Sequence, residues 1–139
     1  MSAPKQMYIK GIYTPKLSLE VLETIPLEDG KQIDYSLSHR FIEMDDNTGR
    51  TDLRFQITES AKVGFVADVI VSAIFEVENY KENSDGLYLM KNTAITILYP
   101  YLRNAVSQLC SFAGVAKVML PVIDTIQTFG DQTVQSGNL

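Results

Sequence analysis

Residues 63–77 do most to narrow what this chain can fold into. Val63, Phe65, Ala67, Val69, Val71, Ala73 and Phe75 alternate along one side of an extended segment, while Val66, Ile70 and Ile74 stand on the other. Alternation rich in β-branched and aromatic residues predicts a strand. A strand apolar on both sides of a short antiparallel sheet needs a cover for its second face. In a chain of 139 residues the predicted cover is another subunit or a bound segment. Asp68 and Glu76, together with the short length, rule this stretch out as a bilayer-spanning helix.

Three further strand patterns come first. Weak alternation runs over residues 7–13 and again through Leu17, Leu19 and Val21, with Pro15 between them as a bend or edge feature. Glu28-Asp29-Gly30 reads as a turn. Next, Ile33, Tyr35, Leu37, His39 and Phe41 share one face of a strand, with Asp34, Ser36, Ser38 and Arg40 opposite. Asp45-Asp46-Asn47-Thr48-Gly49 is predicted to be a hairpin connection, with the glycine supplying a positive φ. Leu53, Phe55 and Ile57 then alternate with Asp52, Arg54, Gln56 and Thr58.

The C-terminal third changes period. Residues 81–86 read as a polar loop, and Asn92 or Thr93 as a helix cap. Pro100 lacks an amide and disfavours helix at Tyr99, so a kink or restart is predicted there. Leu102, Val106, Leu109 and Ala113 keep one helix face apolar, and Gly114 ends it. Val122, Ile123, Ile126 and Phe129 mark a last helix, and residues 132–139 a flexible tail. The expected architecture is α+β: a single domain over residues 1–139, with a four-stranded antiparallel meander sheet and C-terminal helices packed on one face.

Enzymatic signatures are missing from the sequence. No glycine-rich phosphate loop, nucleophile elbow or paired cysteine motif occurs. His39 falls on an apolar strand face and Cys110 on a packing helix, which reads as core or interface for both. The 45–49 turn lacks the distal glutamate of a calcium loop. The expectation is therefore a protein that is not an enzyme and uses no cofactor and no metal. A net charge of −5 argues against nucleic acid or an anionic membrane as partner. Residues 1–10 show no basic-then-apolar leader, and the lone cysteine permits a cytoplasmic location. Tyr88, Met90, Tyr99, Tyr101, Phe112 and Met119 gather around the helices and offer an adaptable apolar binding surface, or a core.

Three blocks, in order along nearly the whole chain, resemble the SecB family of export chaperones. Ile12-Tyr-Thr-Pro-Lys-Leu-Ser-Leu-Glu20 is similar to the family's Ile-Tyr-Thr followed by Ile-Ser-Phe-Glu. Gly64-Phe-Val-Ala-Asp-Val-Ile-Val-Ser-Ala-Ile-Phe75 resembles its fourth strand. Residues 97–114, with Leu98-Tyr-Pro-Tyr-Leu-Arg103, resemble its Leu-Phe-Pro-Tyr-Ala-Arg helix. The resemblance implies a homotetramer, a dimer of dimers with helices sandwiched between sheets. It implies a holdase that works without ATP on unfolded or precursor polypeptides, along a groove that would include Tyr99, Tyr101, Met119, Leu120 and Val122. It also implies a surface for the motor SecA at Glu20, Val66 and Asp68. Lys16 stands where the family has an aspartate, and the segment 115–121 lacks the family's Phe-Pro and double-proline features. These departures set a second reading beside protein export: a SecB-like protein dedicated to one partner, such as a chaperone of a toxin–antitoxin system.

Overall fold

In a computed structural model of the chain, the described residues are 6–23, 33–115, 120, 121 and 125. The turn at residues 28–30, the last helix but for Thr125, and the 132–139 tail lie outside them, as do Met119 and Val122. Four strands form one antiparallel sheet: β1 (Tyr8–Val21), β2 (Ser36–Glu43), β3 (Thr48–Ile57) and β4 (Phe65–Glu76). A short helix α1 (Ser84–Tyr88) runs through a π-helical turn, Leu89–Thr93, into the long helix α2 (Ala94–Ala113). The α+β class and the four antiparallel strands match the expectation.

The connectivity departs from a plain meander. Sheet order is β1-β4-β3-β2, so only the last three strands meander and β1 crosses to the free side of β4. A pure meander would leave the doubly apolar β4 as an edge. Pairing with β1 makes it internal, with Leu17 opposite Val69, Leu19 opposite Ala67 and Val21 opposite Phe65. β1 is also one strand instead of two. Register shifts between Ile9 and Gly11, and between Tyr13 and Lys16, absorb Pro15 as a bulge on the sheet edge.

One sheet face supports the core. Leu53, Phe55, Ile57, Val69, Val71 and Phe75 pack under Ile95, Leu98, Leu102, Val106 and Cys110 of α2, all of them buried. The opposite face of β4 is covered in part by the chain itself, which changes the expectation of a separate cover. Ile70 lies between Lys16 and Arg54, and Ile74 opposite Arg50, so the stems of long cations leave both isoleucines half-buried.

α2 passes through Pro100 without interruption. The helix does not restart there: Pro100 and Thr96 are both exposed, so the carbonyl that loses its partner is on the water side. Irregularity falls earlier, at the π-turn. Helix begins at Asn83, whose side chain accepts from the Gly86 amide at 2.6 Å, and Thr93 makes no side-chain cap. Gly114 ends α2 with φ 70°, its amide donating back to Cys110 and Ser111, as the sequence suggests.

The 45–49 connection is a turn, but its chemistry differs from expectation. Asp45 Oδ1 accepts from the Asn47 and Thr48 amides at 2.8 and 2.7 Å, and these bonds lower the carboxyl pKa. Gly49 needs no left-handed backbone; the positive φ values of the described residues are at Lys62, Gly64, Asn79 and Gly114. Its requirement is space, since a Cβ there would sit 2.7 Å from the Phe41 ring and 2.8 Å from Met90 Cε. Gly49→Ala is therefore expected to cost about 1–3 kcal/mol by overpacking, read as a lowered denaturant midpoint.

Candidate functional site

α2 carries three stripes. Ile95, Leu98, Leu102, Val106 and Cys110 enter the core. The other two flank that stripe and create separate apolar seams.

Toward β1, Tyr101, Ala105, Leu109 and Phe112 face Ile12 and Leu17 across a groove of ≈ 390 Å³. Phe112 is 90% exposed and Leu17 54%. Tyr8, Ile9, Tyr13 and Val21 are exposed along the same strand, which is an edge of the sheet. An unpaired edge beside an open apolar groove is a template for another polypeptide strand. Leu109, read from the sequence as core, is only half-buried and lines this groove instead.

Toward β2, Tyr99 and Leu120 are almost wholly buried, at 3% and 2% exposure. The Tyr99 hydroxyl donates to the Pro121 carbonyl at 2.8 Å, and Arg103 Nε donates to the Leu120 carbonyl at 2.8 Å. Two α2 side chains thus hold consecutive main-chain carbonyls of the segment that follows. Burial raises the Tyr99 pKa; Tyr35 adds to the rise and Arg103 opposes it. Tyr35 completes the seam, tilted on Phe55 with ring centroids 5.4 Å apart and its own ring still exposed. Of the groove residues expected from sequence, Tyr99 and Leu120 come together here, Tyr101 lies in the β1 groove, and Met119 and Val122 are outside the described residues.

The sheet face turned away from α2 holds the other expected site. Glu20 and Val66 are directly opposite each other, with Asp68 in the next row beside Ser18. Asp68 is not a free acid. Arg54 grips both its oxygens at 2.8 and 2.5 Å, and Lys16 Nζ reaches it at 2.8 Å. The Arg54 bond, with Lys16 behind it, holds the Asp68 carboxyl below its usual pKa.

Two rows along, Asp52 is fully buried. Arg50 binds both its oxygens, Arg40 donates to Oδ2 at 3.0 Å, and the Ser72 hydroxyl donates to Oδ1 at 2.5 Å. Burial pushes its pKa up, but the hydrogen bonds from Arg50, Ser72 and Arg40 outweigh that and leave it lowered. The sequence shows these residues only as the polar half of an alternation. Their signal is cross-strand register, which one strand alone does not carry.

Among the described residues no group of three or more His, Cys, Asp or Glu side chains could hold a metal, and no helix is long and apolar enough to cross a membrane. His39 and Cys110 are both buried, as their apolar settings predict.

The family described as SecB, preprotein translocase subunit SecB, matches residues 1–136. A protein-export protein SecB of Neisseria meningitidis (strain Z2491) is 32% identical over 122 residues, covering 84% of this chain and 82% of that protein. One from Saccharophagus degradans is 28% identical over 140 residues, covering 96% and 83%. Among solved structures, a SecB-like chaperone of Mycobacterium tuberculosis, in complex with a ChAD peptide from the HigA1 antitoxin, superposes with a TM-score of 0.62 at 16% identity. It covers 84% of this chain and 90% of its own. A protein of unknown function from Streptococcus agalactiae gives 0.51 at 10% identity, over 86% of this chain and all of its own. At those identities the two structures speak for the fold.

Proposed function

This chain belongs to the SecB family, and from that membership we propose that it is an ATP-independent holdase chaperone, binding non-native polypeptides in the cytoplasm as a homo-oligomer. The observation that carries the reading is the seam at Tyr35, Tyr99 and Leu120. There, α2 side chains hold main-chain carbonyls beside apolar surface. Every polypeptide offers such carbonyls whatever its sequence. Apolar burial adds roughly 25 cal/mol per Å², so affinity needs no sequence match. Among the described residues only the Nε of Arg103 is engaged, which leaves its terminal amino groups to donate to a client. In this proposal the exposed Tyr35 ring is the client contact, with Tyr99 and Leu120 buried beneath it as its support; Met119 and Val122 stay in the proposal on the family resemblance alone.

The β1 groove is assigned to a second copy. Two β1 edges paired antiparallel about a two-fold axis would extend the sheet to eight strands and seat each Phe112 against the other copy. Pairs of such dimers would give the tetramer.

Export would hand clients to SecA at Glu20, Val66 and Asp68. Asp68 is already held by Arg54 and Lys16, so of the two carboxylates only Glu20 keeps its charge unpaired among the described residues. For that reason the proposal stops at polypeptide holding. A second reading, one dedicated partner, draws on the M. tuberculosis structure, where a SecB-like chaperone carries a peptide from an antitoxin.

Dilution refolding of an aggregation-prone client decides between them. A general holdase suppresses light scattering at stoichiometric amounts, and Tyr35→Asp is expected to raise the amount needed roughly tenfold without changing oligomer mass. An intact oligomer that suppresses nothing would favour the single-partner reading.

A further inference from the structure

The outer sheet face is positive in a chain whose net charge is −5. Across the strands, Lys16, Ile70 and Arg54 form one row, Ser72, Asp52 and Arg40 the next, and Ile74, Arg50 and Ile42 the third. Two carboxylates, Asp68 and Asp52, are each shared by two cations. Each cluster therefore keeps one positive charge uncompensated. The Nε of Arg40 is buried with no hydrogen-bond partner among the described residues. Ile42, Ile70 and Ile74 lie half-buried between the charges.

We propose that this face docks an acidic polypeptide segment of a partner protein, one in which Asp or Glu and an aliphatic residue take turns at every second position, so that both kinds face the sheet. Charge complementarity and spacing both point to that occupant. Each cluster of two cations on one carboxylate keeps one positive charge over. The clusters are centred four residues apart on β3, at Arg50 and Arg54, about 13 Å, which matches carboxylates four residues apart on an extended segment. Between them the isoleucines meet the aliphatic residues. A nucleic acid fits less well, because a phosphate backbone makes no use of three isoleucines. Exposed Glu20 at one end and the Lys10–Glu76 pair at the other bound the patch, so the segment is short. This assignment is independent of client binding on the α2 side and opposite in sign to an acidic surface.

Fluorescence anisotropy of a labelled short peptide repeating Glu-Ser-Ile-Ser, and of its Gln counterpart, tests it on the full chain. The Glu peptide is expected to bind about tenfold tighter at about 50 mM salt, the preference shrinking severalfold near 300 mM. The double variant Lys16→Gln/Arg40→Gln should lose the preference. Its Asp68 and Asp52 still keep Arg54 and Arg50 on both oxygens, so its melting midpoint should hold. Equal binding of the two peptides by the unmodified chain would overturn the proposal, and that comparison decides even where the variant melts early. An unchanged preference in a folded variant would overturn it as well. A short oligothymidylate binding as tightly as the Glu peptide would transfer the face to nucleic acid.

Discussion

Phe112→Asp is expected to reduce the particle mass measured by light scattering from an oligomer to the 15.6 kDa monomer. At 90% exposure the side chain contributes little to the fold of one copy, so the variant should stay folded, its thermal midpoint falling only by the stabilisation that association supplied. In a two-fold interface each substitution acts twice. Losing a large aromatic anchor costs about 2 kcal/mol per site, so the dimer weakens by about 4 kcal/mol, or roughly a thousandfold in Kd. Aspartate adds the desolvation of a charge. An oligomer of unchanged mass would move self-association to another surface and return the β1 groove to the list of client sites. Suppression of client aggregation should fall in the monomer if assembly brings several seams to one client.

Asp52→Ala is the second large effect, and it concerns stability. Removing the carboxylate strands Arg40 and Arg50 over a buried gap and leaves the Ser72 hydroxyl without its acceptor. Breaking a buried ion pair in this way costs about 3–5 kcal/mol, a large share of the stability of a small domain. Arg40→Gln should cost much less, because Arg50 still binds both oxygens. The same cluster sets an acid limit. Asp52 and Asp68 are both held below their ordinary pKa when folded, so each contributes stability that is complete above the unfolded value near 4 and disappears as pH falls through the lowered folded value. Denaturant midpoints measured from neutral pH downward should therefore begin to fall below about pH 4 in the unmodified chain. In Asp52→Ala the fall should be shallower. Parallel curves would mean that Asp52 carries no pH-linked stability.

Periodicity was enough for the strands and for the apolar stripe of α2, because alternation at two residues and recurrence near 3.6 follow directly from which side is dry. The same rule hid three things. Pairing partners are non-local, so nothing in residues 8–21 says that Leu17 will meet Val69 across a separation of some fifty residues instead of pairing with β2. Polar alternation in β3 looks like a wetted face, yet Asp52 is buried because arginines from its own and a neighbouring strand close over it. A single helix stripe was expected on α2, but Tyr101, Leu109 and Phe112 make another, displaced around the helix and visible only once β1 lies alongside. The family resemblance sets Tyr99 and Leu120 in one group with Tyr101, Met119 and Val122, while the burial of these two and the hydrogen bonds from Tyr99 and Arg103 to backbone carbonyls depend on a fold-back that residue spacing does not encode.

The two register shifts in β1 also bear on how large the particle can grow. A straight apolar edge invites strand after strand, the route to fibrils. Here Pro15 removes one amide and the shifts at Ile9/Gly11 and Tyr13/Lys16 bend the edge, so an incoming strand finds only short runs of regular donors and acceptors. A neighbour that slides out of phase meets a gap within a few residues. Pairing of two β1 strands consumes both of those edges at once, so growth through β1 stops at two copies.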